Sequence, residues 1–131
     1  MRDLAREVTA HHTIGLDDLT DALVIRSDAP DDANGSGTHH YNVTHRDDPA
    51  FAPLAEIQFQ HGPRNVEGST TGITAQALVT ILIDHFESFQ NGPFKSRDNA
   101  LVITALEEAK GWMIKRVIDR KRRGVLGQLS K

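Results

Sequence analysis

The feature that most constrains the fold is a helical pattern that runs without a break through the last third of the chain. It follows a turn signal, 91–93 (Asn-Gly-Pro), and Ser96 is suited to cap its first turn. From there the pattern continues to Gly124, interrupted only by Gly111. This predicts a helix of about 27 residues, or about 40 Å. Because it exceeds every other predicted element, part of its apolar face needs a partner, and a second copy of the chain is the simplest one.

A shorter helix precedes the turn, so that the two helices form a predicted hairpin. Thr74 can cap the shorter helix, which we expect to end near Phe89. Its apolar residues repeat with the three- and four-residue spacing of one helix face. This predicted packed face consists of Leu78, Ile81, Leu82, His85 or Phe86, and Phe89.

Three short stretches upstream predict strands, because they are β-branched or alternate between apolar and polar residues. They are residues 23–25, 39–44 and 54–60. The last one alternates most regularly, with Ala55, Ile57 and Phe59 on one side. Turn-rich segments separate these strands. The sequence therefore predicts an α+β fold, in which a small antiparallel sheet with one buried face is followed by a long helical hairpin that dimerises.

The predicted organisation is one domain over residues 19–131, with the sheet in 19–72 and the hairpin in 73–127. For residues 1–18 we expect a short helix or a frayed tail. With 38% apolar and 5% aromatic residues, the chain favours a small core assisted by self-association.

Charge and cysteine usage limit the function classes. The chain has no cysteine, which excludes disulfides, thiolate metal sites and cysteine nucleophiles. The net charge of −3 combines an acidic first half with a cluster of six bases and one acid in 115–123. An acidic body with a basic cluster indicates a local anionic partner rather than a nucleic-acid coat. No apolar run approaches the roughly 18 residues that a membrane span needs.

Basic residues continue the apolar stripe of the long predicted helix. The stripe itself consists of Val102, Leu106, Ala109 and Met113. Steps of three, four and three more residues reach Arg116, Arg120 and Arg123, so the packed face should turn into a column of guanidinium groups. Arginine makes bidentate contacts with phosphate or carboxylate. The alternative is a solvated basic end that complements the helix macrodipole.

A second cluster lies at the turn. Phe89 and Phe94 flank it, Arg97 begins the next helix, and Asn99 lies in that helix's first turn. Aromatic rings can stack on a flat base while an amide forms hydrogen bonds to its edge. The alternative is that the two phenylalanines pack the hairpin together and Asn99 helps to cap the helix.

Metal and hydrolytic sites are not predicted. The seven histidines include no HExxH or similar spacing, and the adjacent His39 and His40 should face opposite sides of a strand. Neighbouring carboxylates such as Glu107 and Glu108 have no evident catalytic partner. The sequence alone therefore identifies no catalytic residues.

Four ordered motifs span the predicted hairpin, and upstream segments extend them. The motifs are FQ-x-G-P-F, R-D-N-A-L, L-E-E-A-x-x-W and R-x-x-x-R-x-x-R-G-V, preceded by I-Q-F-Q-H-G-P-R and G-I-T. In this order they resemble the hairpin of the phage anti-Thoeris sponge family, which shares its hairpin with phage anti-CBASS sponges. The strong resemblance covers residues 57–127, and a looser one reaches back to about residue 23.

That resemblance implies a protein that is not an enzyme and uses no metal or cofactor. Members of the family bind cyclic ADP-ribose isomers, and some bind cyclic di- or trinucleotides. They sequester these messengers from bacterial Thoeris or CBASS signalling, in the cytoplasm of the infected host. The resemblance further implies a homodimer paired through its long helices, in some members a hexamer built as a trimer of dimers, and a composite ligand pocket.

The resemblance also implies a set of ligand-binding residues. Phe89 corresponds to an aromatic that stacks on adenine, and Asn99 to a polar residue at the start of the second helix. Arg116 and Arg120 correspond to arginines that hold phosphate, and Arg64 to an arginine of the loop before the first helix. The full predicted set is Phe89, Asn99, Arg64, Arg97, Arg116, Arg120 and Arg123.

Departures from the family pattern leave the preferred nucleotide open. Val117 stands where threonine is usual, and Asp98 stands where glutamate is usual. Two other function classes stay open from the residues alone. One is a nucleic-acid-binding regulator that uses the basic helix end on phosphates. The other is an enzyme that cleaves the nucleotide.

Overall fold

The computed structural model describes residues 4–30, 37–48, 53–62 and 67–124. The chain divides into two compact units, Met1–Gly72 and Ile73–Lys131, which are described separately. Within the described ranges, no helix is long and apolar enough to cross a membrane. That residues 19–131 form one domain stays a prediction.

The first unit contains a four-stranded antiparallel sheet. Its strands are β1 (Arg6–Val8), β2 (Leu23–Ser27), β3 (His40–His45) and β4 (Ala55–Gln58). They lie side by side in chain order. One row of paired residues crosses the whole sheet and consists of Val8, Ile25, Val43 and Ala55. The antiparallel sheet predicted from the alternating segments is therefore confirmed.

The segment before β2 differs from the predicted short helix or frayed tail. Arg6–Val8 forms the edge strand β1, and Asp18–Asp21 forms a one-turn helix, α1, capped by the side chain of Asp17. A strand of three residues is too short for a periodic pattern to reveal. It is held by pairing with β2 and by the Arg6 guanidinium, whose Nη1 donates to Ser27 Oγ over 2.7 Å.

Burial in the sheet does not follow the predicted single apolar face. The fully or nearly buried strand residues are polar, and they include Ser27, His40 and Thr44. In β4, Ala55 is exposed and Ile57 is only half-buried. The prediction was wrong because it assumed that alternation alone would bury the apolar side. Among the described residues, only Ala22 and Ile83 are buried hydrophobic side chains.

The second unit is the predicted helical hairpin. Its helices are α2 (Ala75–Gln90) and α3 (Arg97–Arg122). Thr74 Oγ1 accepts from the N–H of Ala77 over 3.2 Å, and Ser96 Oγ accepts from the N–H of Asn99 over 3.1 Å. Both caps satisfy backbone donors that the first helical turn leaves without partners. The predicted caps, turn and long second helix are confirmed.

The packed face of α2 agrees only in part with the predicted one. Ile83 is buried, and Val79 and the predicted Leu78 and Phe86 are half-buried. Ile81 and Leu82 are exposed. The helix is apolar around most of its circumference, so two stripes satisfy the same spacing rule. Ile81 and Leu82 belong to the stripe that faces outward.

Candidate functional site

The turn of the hairpin is built by side chains that bond to the backbone. Gln90 Oε1 accepts from the N–H of Ser96 over 2.8 Å. Asn99 Nδ2 donates to the carbonyl oxygen of Phe94 over 3.0 Å. This is the capping and turn role that the sequence left open for Asn99. The side-chain NH₂ group of Asn99 therefore already donates a hydrogen bond that holds the turn.

Two aromatic side chains are accessible beside this turn. Phe94 is 74% exposed, so it does not pack the two helices together as the alternative interpretation required. Phe89 is partly exposed, and its ring meets His85 at 5.1 Å and 74°. An edge-to-face contact of this kind fixes a ring while leaving part of its face accessible. Phe89 therefore has the geometry of a stacking surface, and Arg97 lies exposed nearby in the first turn of α3.

The opposite end of α3 carries the predicted arginines in two different environments. Arg120 is buried, with 9% of its surface exposed, whereas Arg116 and Arg123 are exposed. The packed stripe passes from Met113 to the half-buried Val117 rather than to Arg116. The expected column of arginines on the packed face is therefore wrong for Arg116, which lies at the edge of that face.

The charge at this end is partly compensated by Asp119. Lys115 Nζ donates to Asp119 Oδ2 over 2.7 Å, and Arg123 Nε lies 3.4 Å from the Asp119 carbonyl oxygen. The hydrogen bond from Lys115 lowers the pKa of Asp119, with further lowering by the charges of Lys115, Arg122 and Arg123. Asp119 is therefore ionised at neutral pH. Because six bases surround this one acid, the helix end keeps a strong positive charge.

The predicted ligand residues lie at two separate ends of the hairpin. Phe89 and Asn99 lie at the turn, whereas Arg116 and Arg120 lie near the far end of α3. The stretch of α3 between Asn99 and Arg116 is about 26 Å long at 1.5 Å per residue. A pocket of about 300–1,000 Å³ is only about 7–10 Å across. One hairpin therefore does not bring the stacking and the cationic groups to one small ligand.

A groove between α2 and α3 has the wrong charge for an anion. Its volume is about 450 Å³. Its lining contains none of the predicted ligand residues and includes Thr80, Ile83, Asp84, Glu87, Glu107, Lys110, Gly111 and Ile114. Three carboxylates against one ammonium group give this groove a negative potential, which disfavours phosphate.

The histidines in and beside the sheet contact neighbouring side chains of the same unit. His40 is buried and its Nε2 lies 3.4 Å from Glu56 Oε1. The rings of His39 and His61 pack 4.3 Å apart. In the part of the chain that the structure describes, no three His, Asp or Glu residues are grouped to hold a metal ion.

Arg64 and Trp112 differ from the other residues of this region. Arg64, which the resemblance places among the ligand-binding residues, lies outside the described residues, so its part in the site stays a prediction. Trp112, which is next to Met113 of the predicted stripe, is 64% exposed and lies one helical turn before Arg116. An exposed tryptophan next to an arginine is typical of interaction surfaces, because such side chains are enriched at interfaces.

Comparison with known proteins bears on the same region. Residues 53–117 match the model of the "Acb2/Tad1, hairpin domain" family. This match spans β4, α2 and most of α3, and it ends before Arg120 and Arg123. The chain is also 40% identical over 98 residues to "Thoeris anti-defense 1" of Bacillus phage SBSphiJ7. The alignment covers 74% of this chain and 66% of that relative, just under two thirds of its length.

Proposed function

The chain belongs to the phage anti-Thoeris family that carries the Acb2/Tad1 hairpin domain, and from this we propose that it binds and sequesters a cyclic nucleotide second messenger. The preferred class is a cyclic ADP-ribose isomer, with cyclic di- or trinucleotides as further ligands. The protein holds its ligand without cleaving it and acts in the cytoplasm of the infected bacterium. Thoeris or CBASS signalling is thereby deprived of its messenger.

The observation that carries this proposal is the separation of the ligand groups along the hairpin. A cyclic ADP-ribose isomer has a purine to stack and a pyrophosphate to neutralise. The turn of the hairpin offers Phe89 for the first, and the far end of α3 offers Arg116 for the second. Arg116 lies about 26 Å along α3 from Asn99, the other predicted ligand residue at the turn. If two hairpins pair antiparallel, the turn of one protomer lies beside the arginines of the other. A two-fold pairing then creates two identical pockets.

The exposed faces of both helices support such a pairing. On α3, Leu101, Trp112 and Arg116 follow helical spacing, and the first two are 50% and 64% exposed. On α2, the outward stripe that contains Leu82 and Phe89 is exposed as well. Apolar stripes of this kind on both helices of a small protein are typical of a surface that another chain covers. On α3, Arg116 lies one helical turn after Trp112, next to the apolar part of the exposed stripe.

Within the pocket, each group has a defined role. The Phe89 ring stacks on the base, and base–aromatic stacking contributes about 1–3 kcal/mol. The Arg116 guanidinium contacts the pyrophosphate, and charge-assisted hydrogen bonds contribute about 1.5–3 kcal/mol each. Arg120, which is buried, adds positive charge beneath the exposed Arg116. Arg97, Arg123 and Asn99 complete the proposed set, together with Arg64, which is included on the family resemblance alone.

The test is depletion of nucleotides by purified protein. The full chain is incubated with a panel of cyclic ADP-ribose isomers and cyclic oligonucleotides, and the free nucleotide is quantified. Heat release followed by mass spectrometry should return the ligand with an unchanged mass. A shifted mass is the result for an enzyme, and failure to deplete every member of the panel refutes the proposal.

Matched variants assign the binding groups. Phe89→Ala and Arg116→Ala should each lose most of the binding while keeping the circular dichroism spectrum of the parent protein. Arg46→Ala removes an exposed arginine of the sheet unit and serves as the control, with binding unchanged. If Arg46→Ala weakens binding as much as Arg116→Ala, net charge rather than a defined pocket holds the ligand.

A further inference from the structure

The turn between α2 and α3 contains two neighbouring residues that can react with each other. Asn91 ends α2, and Gly92 follows it directly. Asparagine is chemically labile, because a backbone nitrogen can attack the carbon of its side-chain amide. When the next residue is glycine, no Cβ hinders that nitrogen. The other pair of this kind in the sequence, Asn34–Gly35, lies outside the described residues.

The closed turn holds this pair in a conformation that does not react. Asn91 has a ψ of 1°, which eclipses its own backbone nitrogen with that of Gly92 and leaves its Cβ rotated away from both. The N–H of Gly92 donates to the carbonyl oxygen of Phe89 over 3.2 Å. The attack requires this nitrogen to lose its proton and the side chain of Asn91 to rotate onto it. The turn must therefore open before the reaction occurs.

Few contacts oppose a local opening of this turn. The Asn91 side chain is exposed, and no residue in the described part of the chain forms a hydrogen bond with it. The other hydrogen bonds that close the turn include those of the Gln90 and Asn99 side chains, which lie at the surface. Segments with exposed hydrogen bonds and few buried apolar contacts open locally, at a smaller free energy than global unfolding.

We propose that Asn91–Gly92 is a self-modification site that is controlled by the opening of the hairpin turn. In the open turn, the Gly92 nitrogen forms a bond to Cγ of Asn91, and the bond between Cγ and Nδ2 breaks. Nδ2 leaves as ammonia and takes the proton of the Gly92 nitrogen, so that a cyclic succinimide remains. Water then opens this ring at either carbonyl carbon and leaves aspartate or isoaspartate at position 91.

Both products weaken the proposed nucleotide pocket, and this part of the inference rests on the proposed function. Each product adds a negative charge at the C-cap of α2, where the helix dipole is already negative. Isoaspartate also carries the main chain through its side chain, which lengthens the turn by one methylene group. Phe89 lies two residues before the modified position, so its ring loses the support of the turn. The added charge also repels an anionic ligand.

A bound nucleotide protects this site, because a base stacked on Phe89 favours the closed turn. A ligand that binds only the closed turn lowers the population of the open turn by about 100-fold when its free concentration is about 100 times the Kd. Empty copies of the protein therefore age, whereas loaded copies keep their pocket. The modification thus inactivates those copies that hold no messenger.

The first test needs no nucleotide. The full-length protein is incubated and then digested with trypsin, which places Asn34 and Asn91 in separate peptides, 27–46 and 65–95. The 65–95 peptide should gain about 1 Da, slowly in the folded protein and faster in urea, and its products should separate into aspartate and isoaspartate forms. Gly92→Ala should slow this gain in urea, because its methyl group hinders the nitrogen. The turn accommodates this methyl group, since the φ of Gly92 is outside the left-handed region and the nearest atom lies 3.8 Å away.

Two results of this test overturn the self-modification site. One is a 65–95 peptide that keeps its mass in urea. The other is a rate of mass gain that is the same in the folded protein and in urea, because the turn would then exert no control. Wild-type protein that has been aged should also deplete less nucleotide than Gly92→Ala protein aged in the same way. Equal depletion by the two overturns the effect on the pocket.

The second test adds the nucleotide found by depletion. At about 100 times the Kd, the mass gain at Asn91 should slow by about 100-fold in the wild-type protein. In Phe89→Ala, which lacks the stacking ring, the same nucleotide should leave the rate unchanged. A nucleotide that binds the wild-type protein without slowing the reaction overturns the protection alone. Failure to deplete any nucleotide counts instead against the proposed function, and the first test still decides whether the site modifies itself.

Discussion

Mixing two variants that each fail to bind distinguishes a pocket shared by two chains from a pocket within one chain. In the proposed antiparallel pair, each pocket takes Phe89 from one protomer and Arg116 from the other. Phe89→Ala removes about 1–3 kcal/mol of stacking, which weakens binding roughly 5- to 150-fold. Arg116→Ala removes about 1.5–3 kcal/mol, a loss of similar size. At a nucleotide concentration just above that needed to fill the wild-type protein, either variant alone should therefore be mostly empty.

A mixed pair behaves differently from both parents. One of its two pockets lacks both side chains, whereas the other pocket has both side chains intact. If the two variants are co-purified in equal amounts and pair at random, about half of the pairs are mixed. The mixture should then recover about a quarter of the wild-type binding capacity, with wild-type affinity. Neither parent has sites of that affinity.

The assay is isothermal titration calorimetry with the nucleotide found by depletion. Native mass spectrometry first verifies that mixed pairs have formed, because the two variants differ in mass. A wild-type protein mixed with Arg46→Ala controls for losses during exchange and should keep its full capacity. A mixture whose nucleotide-binding capacity equals the mean of its two parents would refute the shared pocket, because a pocket within one chain gains nothing from mixing.

Four further predictions concern the fold and its assembly. Trp112→Asp should separate the hairpins into single chains in light scattering, whereas Trp112→Phe should not, because only the charge is incompatible with an apolar contact. Ile83→Ala should lower the free energy of unfolding by about 2–4 kcal/mol in urea titration, since it empties a buried site between α2 and α3. Gly111→Ala should raise the same free energy by about 0.5–1 kcal/mol, because the added methyl group meets no atom within 4 Å, and a loss would reveal a neighbour at that position. The N–H donors of Thr13 and Gly15 lower the pKa of Asp21, so its contribution to stability is complete above the usual aspartate pKa of about 4 and is lost as the pH falls through the folded-state pKa. Asp21→Asn should therefore flatten the dependence of the melting temperature on pH in that window. An unchanged profile would contradict this role of Asp21.

Local signals predicted the hairpin because each of its features is encoded by residues next to one another. Thr74 and Ser96 cap their helices as expected, and the turn ends α2 where glycine and proline require it. Strands β2, β3 and β4 followed from local signals in the same way, β2 from a short β-branched run and β3 and β4 from alternation. By contrast, β1 has only three residues and depends on pairing with β2, which no local pattern reports.

The candidate site was less accessible to sequence reasoning. Helical spacing extended the packed stripe to Arg116, but the neighbouring Val117 takes that place in the structure. Spacing also selected the outward stripe of α2 rather than the one through Ile83, because both stripes are apolar. Neither pattern contains information about a second chain. The roles of Phe89 and the arginines therefore follow from the family resemblance rather than from either pattern.

The sparse interior of the protomer has a consequence for how the protein accumulates in a cell. Within the described residues, Ala22 and Ile83 are the only buried hydrophobic side chains, so one chain gains little from folding alone. The proposed pairing of the hairpins would then supply stability that depends on protein concentration. Under that proposal, early copies are the most exposed to proteolysis, and each later copy protects the earlier ones. The melting temperature of the purified protein should therefore rise with its concentration, and the lifetime of a chain in the host should depend on the level of its expression.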